Sequence, residues 1–270
     1  MKIRPHNDYM LSGIVLLAAA IVLLGVATLT DRGDMSSATL FLLGVACFLA
    51  GVFMLSFSRS DPLDTEVASL LPVAGMLNVC RICADLGVRG DAWFIPPSGD
   101  EKGLREFIPV QGLEIPDAFP DFSFLTDPVS PGILLTPSAS PLIEYLDRKG
   151  GLVVPSGETE LLHGIREICE DVLELADEVV IEREGETLVM SVKGYRLYPG
   201  CLSIAAQSPK CCTMHPCGIC SLVACLLARG LSVPWHLEHV RIEEGRRGVV
   251  VVYRSLTGPA PRGEGPGSSG

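Results

Sequence analysis

Residues 10–29 read MLSGIVLLAAAIVLLGVATL, a run without a single charged side chain. A helix rises about 1.5 Å per residue, so a run of this length reaches across the ~30 Å hydrocarbon layer of a bilayer. Residues 37–57, SATLFLLGVACFLAGVFMLSF, repeat the pattern, and the seven residues between them, TDRGDMS, are polar. Inside lipid every backbone amide must be satisfied within its own segment, so the two runs predict an antiparallel pair of membrane-spanning helices, at about 10–29 and 37–57. Lys2 and Arg4 ahead of the first run also fit a cleaved signal peptide, but the run is longer than a signal core and a second span follows at once. Gly44, Cys47 and Gly51 place small side chains on one face of the second span, where another helix can approach closely, either the first span or another molecule. Two spans without interior charges do not make a transporter or channel, so the pair reads as an anchor in the lipid bilayer.

Charge divides the chain at the same place. Through Phe57 there are three basic residues (Lys2, Arg4, Arg32) and three acidic ones (Asp8, Asp31, Asp34), which leaves 18 basic and 29 acidic for the rest and puts the whole net charge of −11 there. A field of that sign repels phosphate, so nucleic acid is excluded as a general partner, while metal cations and basic partners remain open. Lys2, Arg4 and Arg59 flank one side of the spans and only Arg32 the other, which places both termini and the downstream domain in the cytoplasm of a multi-pass cell-membrane protein. Nine of the ten cysteines follow the spans, and in a reducing compartment they would be thiols or ligands rather than disulfides.

Beyond the spans the expected organisation is a cytoplasmic α+β domain over 61–256, after a transmembrane hairpin at 1–60 and before a disordered glycine- and proline-rich tail at 257–270. A helix over 64–86 starts after Asp61 and Pro62 and bends at Pro72. Short strands are expected at 91–95, 106–110 and 132–136, with a proline-rich loop over 116–131 that Phe119, Phe122 and Phe124 pack onto the body. A helix follows Pro141, and a longer one runs over 158–178 with Leu161, Ile165 and Cys169 on its apolar stripe and His163 on its polar face. Residues 178–192 read as a hairpin turning at Glu184 and Gly185. Residues 201–205 are a strand candidate, 207–215 a loop, 216–229 an amphipathic helix ended by Gly230, and 235–242 with 248–254 a last hairpin in which His236 and His239 take opposite faces.

The chemistry-bearing segment is Lys210-Cys211-Cys212-Thr213-Met214-His215-Pro216-Cys217-Gly218-Ile219-Cys220, with Cys201 upstream and Cys225 beyond. Cys217 and Cys220, three apart at a helix start, share a face near the positive end of the helix dipole, which favours thiolate. Three readings stay open. Cys211, Cys212, His215, Cys217 and Cys220 could hold zinc or an iron–sulfur cluster, for which thiolates at short spacing are natural ligands. Cys217 and Cys220 could instead cycle between dithiol and disulfide. Or the cysteines could be small core residues that let helices pack closely. Cys80 and Cys83 form a second Cys-x-x-Cys within a helix, expected to pack in the core unless the fold brings them to the first cluster. No phosphate loop, zinc-protease, nucleophile-elbow or dinucleotide motif occurs, so a binding or sensing protein of unknown ligand is expected ahead of an enzyme, with a membrane-tethered thiol oxidoreductase and a purely structural protein as the alternatives.

The two spans, the segment LGVRGDAWFIPP at 86–97 and CGICSLVACLLA at 217–228 together resemble an uncharacterised family of archaeal membrane proteins of the kind found in methanogens. The resemblance implies a cytoplasmic, anaerobic, thiol-rich setting and offers no activity or site residues to carry over.

Overall fold

The computed structural model describes residues 8–29, 35–57, 64–97, 103–111, 115–116, 119, 122–243, 245 and 247–256. The turn at 30–34, the flanking Lys2, Arg4 and Arg59, the Asp61-Pro62 helix start, parts of the proline-rich loop and the tail at 257–270 lie outside them. The chain divides into two compact units, Met1–Leu63 and Asp64–Gly270.

The first unit is a helical pair, α1 (Asp8–Leu29) and α2 (Met35–Phe57). Gly13 stands against Gly51 and Leu55, and Gly44 against Leu24, so the helices run antiparallel. A Cβ on Gly44 would lie 2.8 Å from Leu24 Cγ, which is why the small residues of α2 face α1. Ile21, Leu42 and Phe53 point outward with most of their surface uncovered.

The second unit is α+β. Its eight strands form one antiparallel sheet in the order β3-β4-β2-β1-β7-β8-β6-β5. The strands are β1 (Trp93–Ile95), β2 (Arg105–Pro109), β3 (Phe124–Leu125), β4 (Gly132–Leu135), β5 (Glu178–Glu184), β6 (Thr187–Lys193), β7 (Trp235–Glu243) and β8 (Gly248–Ser255). Alternation along them sends Phe94, Ile108, Leu188, Met190, Leu237, Val251 and Tyr253 into the main core. Trp93, Ile95, Phe107 and Leu134 go to a smaller cluster on the opposite face, onto which Phe119 packs, whereas Phe122 and Phe124, expected to pack with it, are exposed. At the β5–β6 turn Gly185 has φ 62°, the positive value that two-residue hairpin loops favour.

Helices cover the main core: α3 (Thr65–Leu70), α4 (Val73–Asp85), α5 (Ser140–Gly150), α6 (Glu158–Glu167), α7 (Tyr198–Gln207), α8 (Cys211–Met214) and α9 (Gly218–Leu231). Pro72 separates α3 from α4, because its nitrogen has no proton to donate and its ring crowds the preceding turn. Asp64 caps α3 through its side chain, which accepts from the Glu66 amide at 2.9 Å.

Several local expectations give way. Residues 201–205 are helical, inside α7: a five-residue apolar run fits a strand and a buried helix equally, and Pro199 in the first turn tips it toward helix. The expected loop at 207–215 contains α8. The long helix stops early, passing into a wider π turn at Ile168–Val172 and ending where Glu174 adopts φ 48° and the Leu175 amide donates back to Cys169. Gly230 lies inside α9, pressed against Leu161 and the Pro155 carbonyl, and the helix ends at Ser232 with φ 55°. Far from amphipathic, α9 is buried at every position from Cys220 to Ala228, the signature of a helix through the middle of a core. A register shift between Leu237 and His239 returns His239 to the same face as His236, which stacks on Trp93 with ring centroids 4.1 Å apart.

Among the described residues four stretches are long and apolar enough to cross a membrane: Leu11–Leu29, Ala38–Ser56, Thr65–Asp85 and Cys211–Leu231. The third is broken at Pro72, and 72% of the fourth is buried inside the protein against 11% of each of the first two.

Candidate functional site

The Cys211 to Cys220 segment is held at the start of α9 by contacts that leave little freedom. Ser138 donates its hydroxyl to the Pro216 carbonyl at 2.7 Å, the Ala139 amide donates to Ser221 Oγ at 3.2 Å, and Tyr253 donates its phenol to the Cys220 carbonyl at 3.3 Å. Cys217 is the residue before the first turn of α9, extended at φ −63° and ψ 163°, and Cys220 follows one turn on. Its sulfur makes no capping hydrogen bond of standard geometry. The Cys220 thiol, and then the amides of Cys220 and Ile219, nevertheless stabilise its charge and draw its pKa from 9.0 down to about 6, against a burial that pushes the other way. Cys220, the donor of that pair, is pushed well up.

Cys217 lines a cavity of about 290 Å³ between α3, α7 and the start of α9. Ser69, Met76, Tyr195, Cys201 and Ile204 contribute to its otherwise apolar wall. On its wall α7 comes very close to α3: a Cβ on Gly200 would lie 2.3 Å from the Ser69 carbonyl oxygen. Among the described residues no lysine, arginine or carboxylate lines it. Cys201 and Cys212, the other thiols nearby, stay protonated, Cys212 pushed up to about 12 by burial and by the Cys217 and Cys211 sulfurs.

The other members of the segment face elsewhere. His215 Nδ1 lies 2.7 Å from Glu106 Oε1, and Glu106 is wholly buried on β2 beside Phe94 and Ile108. Burial pushes the Glu106 carboxyl up more than His215 draws it down, while burial lowers His215 and Glu106, with the Cys211 and Cys217 sulfurs, raises it on balance. Glu106 Oε2 has no hydrogen-bond partner. Cys211 is turned toward α4, where its sulfur meets Cys80. Of the five candidate ligands, Cys217 lines the cavity with Cys220 one turn behind it, His215 rests on Glu106, Cys211 meets Cys80, and Cys212 is half-buried outside the cavity wall. Among the described residues no group of three or more His, Cys, Asp or Glu side chains is placed to hold a metal ion. Cys225 and Cys169 are core residues with raised pKa values.

Sequence reasoning missed Glu106. The available signal was parity: in Glu106-Phe-Ile108 the glutamate shares a face with Ile108, and a charge on an inward face calls for a partner.

A family model described as a domain of unknown function, DUF7982, matches residues 4–255, and the chain belongs to that family. No curated protein and no solved structure matches it.

Proposed function

We propose that this member of the DUF7982 family is a membrane-anchored thiol–disulfide exchange protein, with Cys217 as the attacking sulfur and Cys220 as the resolving one. The observation that carries the reading is the placement of Cys217: it sits ahead of a long buried helix, faces an apolar cavity, and has a second thiol one turn behind it. In the reaction, the Cys217 thiolate attacks one sulfur of a bound disulfide and releases the other as a thiolate. The first released thiolate takes a proton from solvent, and Cys220 then attacks the Cys217 sulfur and gives its own proton to the second departing thiolate. The products are the Cys217–Cys220 disulfide and two substrate thiols, two electrons having passed to the substrate. Binding and sensing, the role expected from the sequence, become the first half of this cycle. A cavity with a thiolate on its wall and no lysine or arginine among the described residues that line it selects an uncharged, apolar disulfide over an anionic one.

Two facts support the anchor. The α1 and α2 helices are apolar on their outward surfaces, with Ile21 73% exposed and Phe53 65%, an arrangement that water penalises and lipid accepts. The basic residues flanking them favour a cytoplasmic domain, and the resemblance to archaeal membrane proteins favours a reducing setting for the thiols.

The test uses the reduced full chain with dithiodipyridine, a neutral aromatic disulfide. Wild type releases two thiopyridones per chain in a fast phase. Cys220→Ser releases one and keeps a mixed disulfide on Cys217, and Cys217→Ser loses the fast phase. A fast phase that survives Cys217→Ser contradicts the reading. So does stoichiometric zinc or iron in anaerobically purified protein that is lost when Cys217 and Cys220 become serine, because thiolates held by a metal are not free to attack.

A further inference from the structure

A second pair of sulfurs lies outside the site described above. Cys80 on α4 and Cys211 on α8 are 131 positions apart in the chain, yet their Sγ atoms stand 2.6 Å from each other. That separation is well inside non-bonded contact and not far from the covalent S–S length of about 2.05 Å. Both residues are fixed: the Cys211 amide donates to the Ser208 carbonyl at 3.0 Å, its thiol reaches the Met76 carbonyl at 3.5 Å, and Cys80 lies in the middle of α4. The pair opens onto a cavity of about 520 Å³ whose wall includes Arg81, Gln207 and Lys210. Lys210 is paired with Asp91 across the rim.

We propose that Cys80 and Cys211 are a second redox pair, which closes to a disulfide joining α4 to α8 when a small hydroperoxide enters this cavity. Burial decides the size of the oxidant. Cys211 has no exposed surface and Cys80 keeps 6%, so a bulky disulfide cannot reach either sulfur, and the oxidant is a small one, hydrogen peroxide, that enters by the cavity whose wall both residues form. Of the two, Cys211 is the attacking sulfur: the Cys80 thiol and the charge of His215 lower its pKa, and Cys80 is held protonated. Cys211 thiolate attacks one peroxide oxygen, the O–O bond breaks, and hydroxide leaves, so Cys211 becomes a sulfenic acid. Cys80 then attacks the Cys211 sulfur, the S–O bond breaks, and the departing hydroxide takes the Cys80 proton as water. Two thiols are oxidised to one disulfide while one peroxide is reduced to two waters, the second water formed when the first hydroxide takes a proton from solvent. The pair shares no residue with Cys217 and Cys220, so it stands or fails independently of the exchange reading.

The reduced full chain is treated with one equivalent of hydrogen peroxide, quenched in acid, alkylated under denaturing conditions and mapped by peptide mass. The expected result is that Cys80 and Cys211 lose the label together and a cross-linked peptide appears, lighter by two hydrogens and reopened by dithiothreitol. Cys212→Ser keeps the cross-link. In Cys80→Ser the reaction stops at Cys211 sulfenic acid, which dimedone added together with denaturant traps. The proposal is overturned if Cys80 and Cys211 both stay alkylated while Cys217 and Cys220 oxidise, or if Cys80 is found joined to Cys83 or Cys212 instead. It is also overturned if dimedone labels no Cys211 in Cys80→Ser.

Discussion

Replacing His215 with alanine costs the folded domain about 3–5 kcal/mol near neutral pH, the range for removing one partner of a buried ion pair. The partner left behind is Glu106, which has no exposed surface and already has one oxygen without a hydrogen bond. The pH dependence has a definite sign. Glu106 and His215 both bind their protons more tightly in the folded chain than their ordinary values of 4.5 and 6.5. Their stabilising contribution is therefore complete below those values and is lost as pH rises through the folded ones. Without His215 only the Ser138 backbone is left to draw the Glu106 pKa down against burial, so the penalty of the variant grows as pH rises above 4.5 and shrinks below it. Urea unfolding of the full chain followed by tryptophan fluorescence measures this, because both tryptophans, Trp93 and Trp235, lie in the sheet. Adding Glu106→Gln to the His215→Ala chain recovers much of the loss, since a buried amide costs less than a buried carboxylate. A penalty under about 1 kcal/mol at pH 7 would show that the pair is not the buried contact described here.

Trp235→Ala produces an effect of similar size for a different reason. The sheet is two four-stranded halves joined only through β1 and β7, whose ladder consists of Trp93 with His236 and Phe94 with Trp235. So short a ladder holds the halves together mainly through side chains, and Trp235 is wholly buried there. Truncating it costs about 3–5 kcal/mol. Unfolding followed by Trp93 fluorescence loses cooperativity as well, because the seam is where the halves separate. An unchanged midpoint and slope would mean that other contacts carry the seam.

What could be read from the sequence follows the length of each signal. The two N-terminal helices were legible because some twenty apolar residues without charge have few alternatives, and the hairpin expected at 178–192 because Gly185 sits between two alternating runs. The α+β class followed from helices and hairpins in turn. The region between Tyr195 and Ser232 was not legible in the same way. Its three helices are apolar on most sides, so periodicity cannot separate a buried helix from a strand in the five residues from Cys201. The end of α9 was misplaced at Gly230 because glycine usually marks a helix end, whereas here it makes room for Leu161. In the candidate site the pairing of Cys217 with Cys220 was local and could be anticipated. Cys80 beside Cys211 and Glu106 beside His215 are contacts across more than a hundred residues, set by how α4, β2 and α8 pack. No spacing rule reports such contacts.

The central claim is that Cys217 is a thiolate facing an apolar cavity at neutral pH, and the rate of its alkylation against pH tests it most directly. With iodoacetamide, a neutral reagent, and site-resolved mass spectrometry of the full chain, Cys217 labelling rises to half its plateau near pH 6. Labelling of Cys201 and Cys212 stays slow through pH 9, as their raised pKa values require. A Cys217 midpoint near the ordinary thiol value of 9.0, or labelling no faster than that of Cys212 at pH 7, would contradict the account.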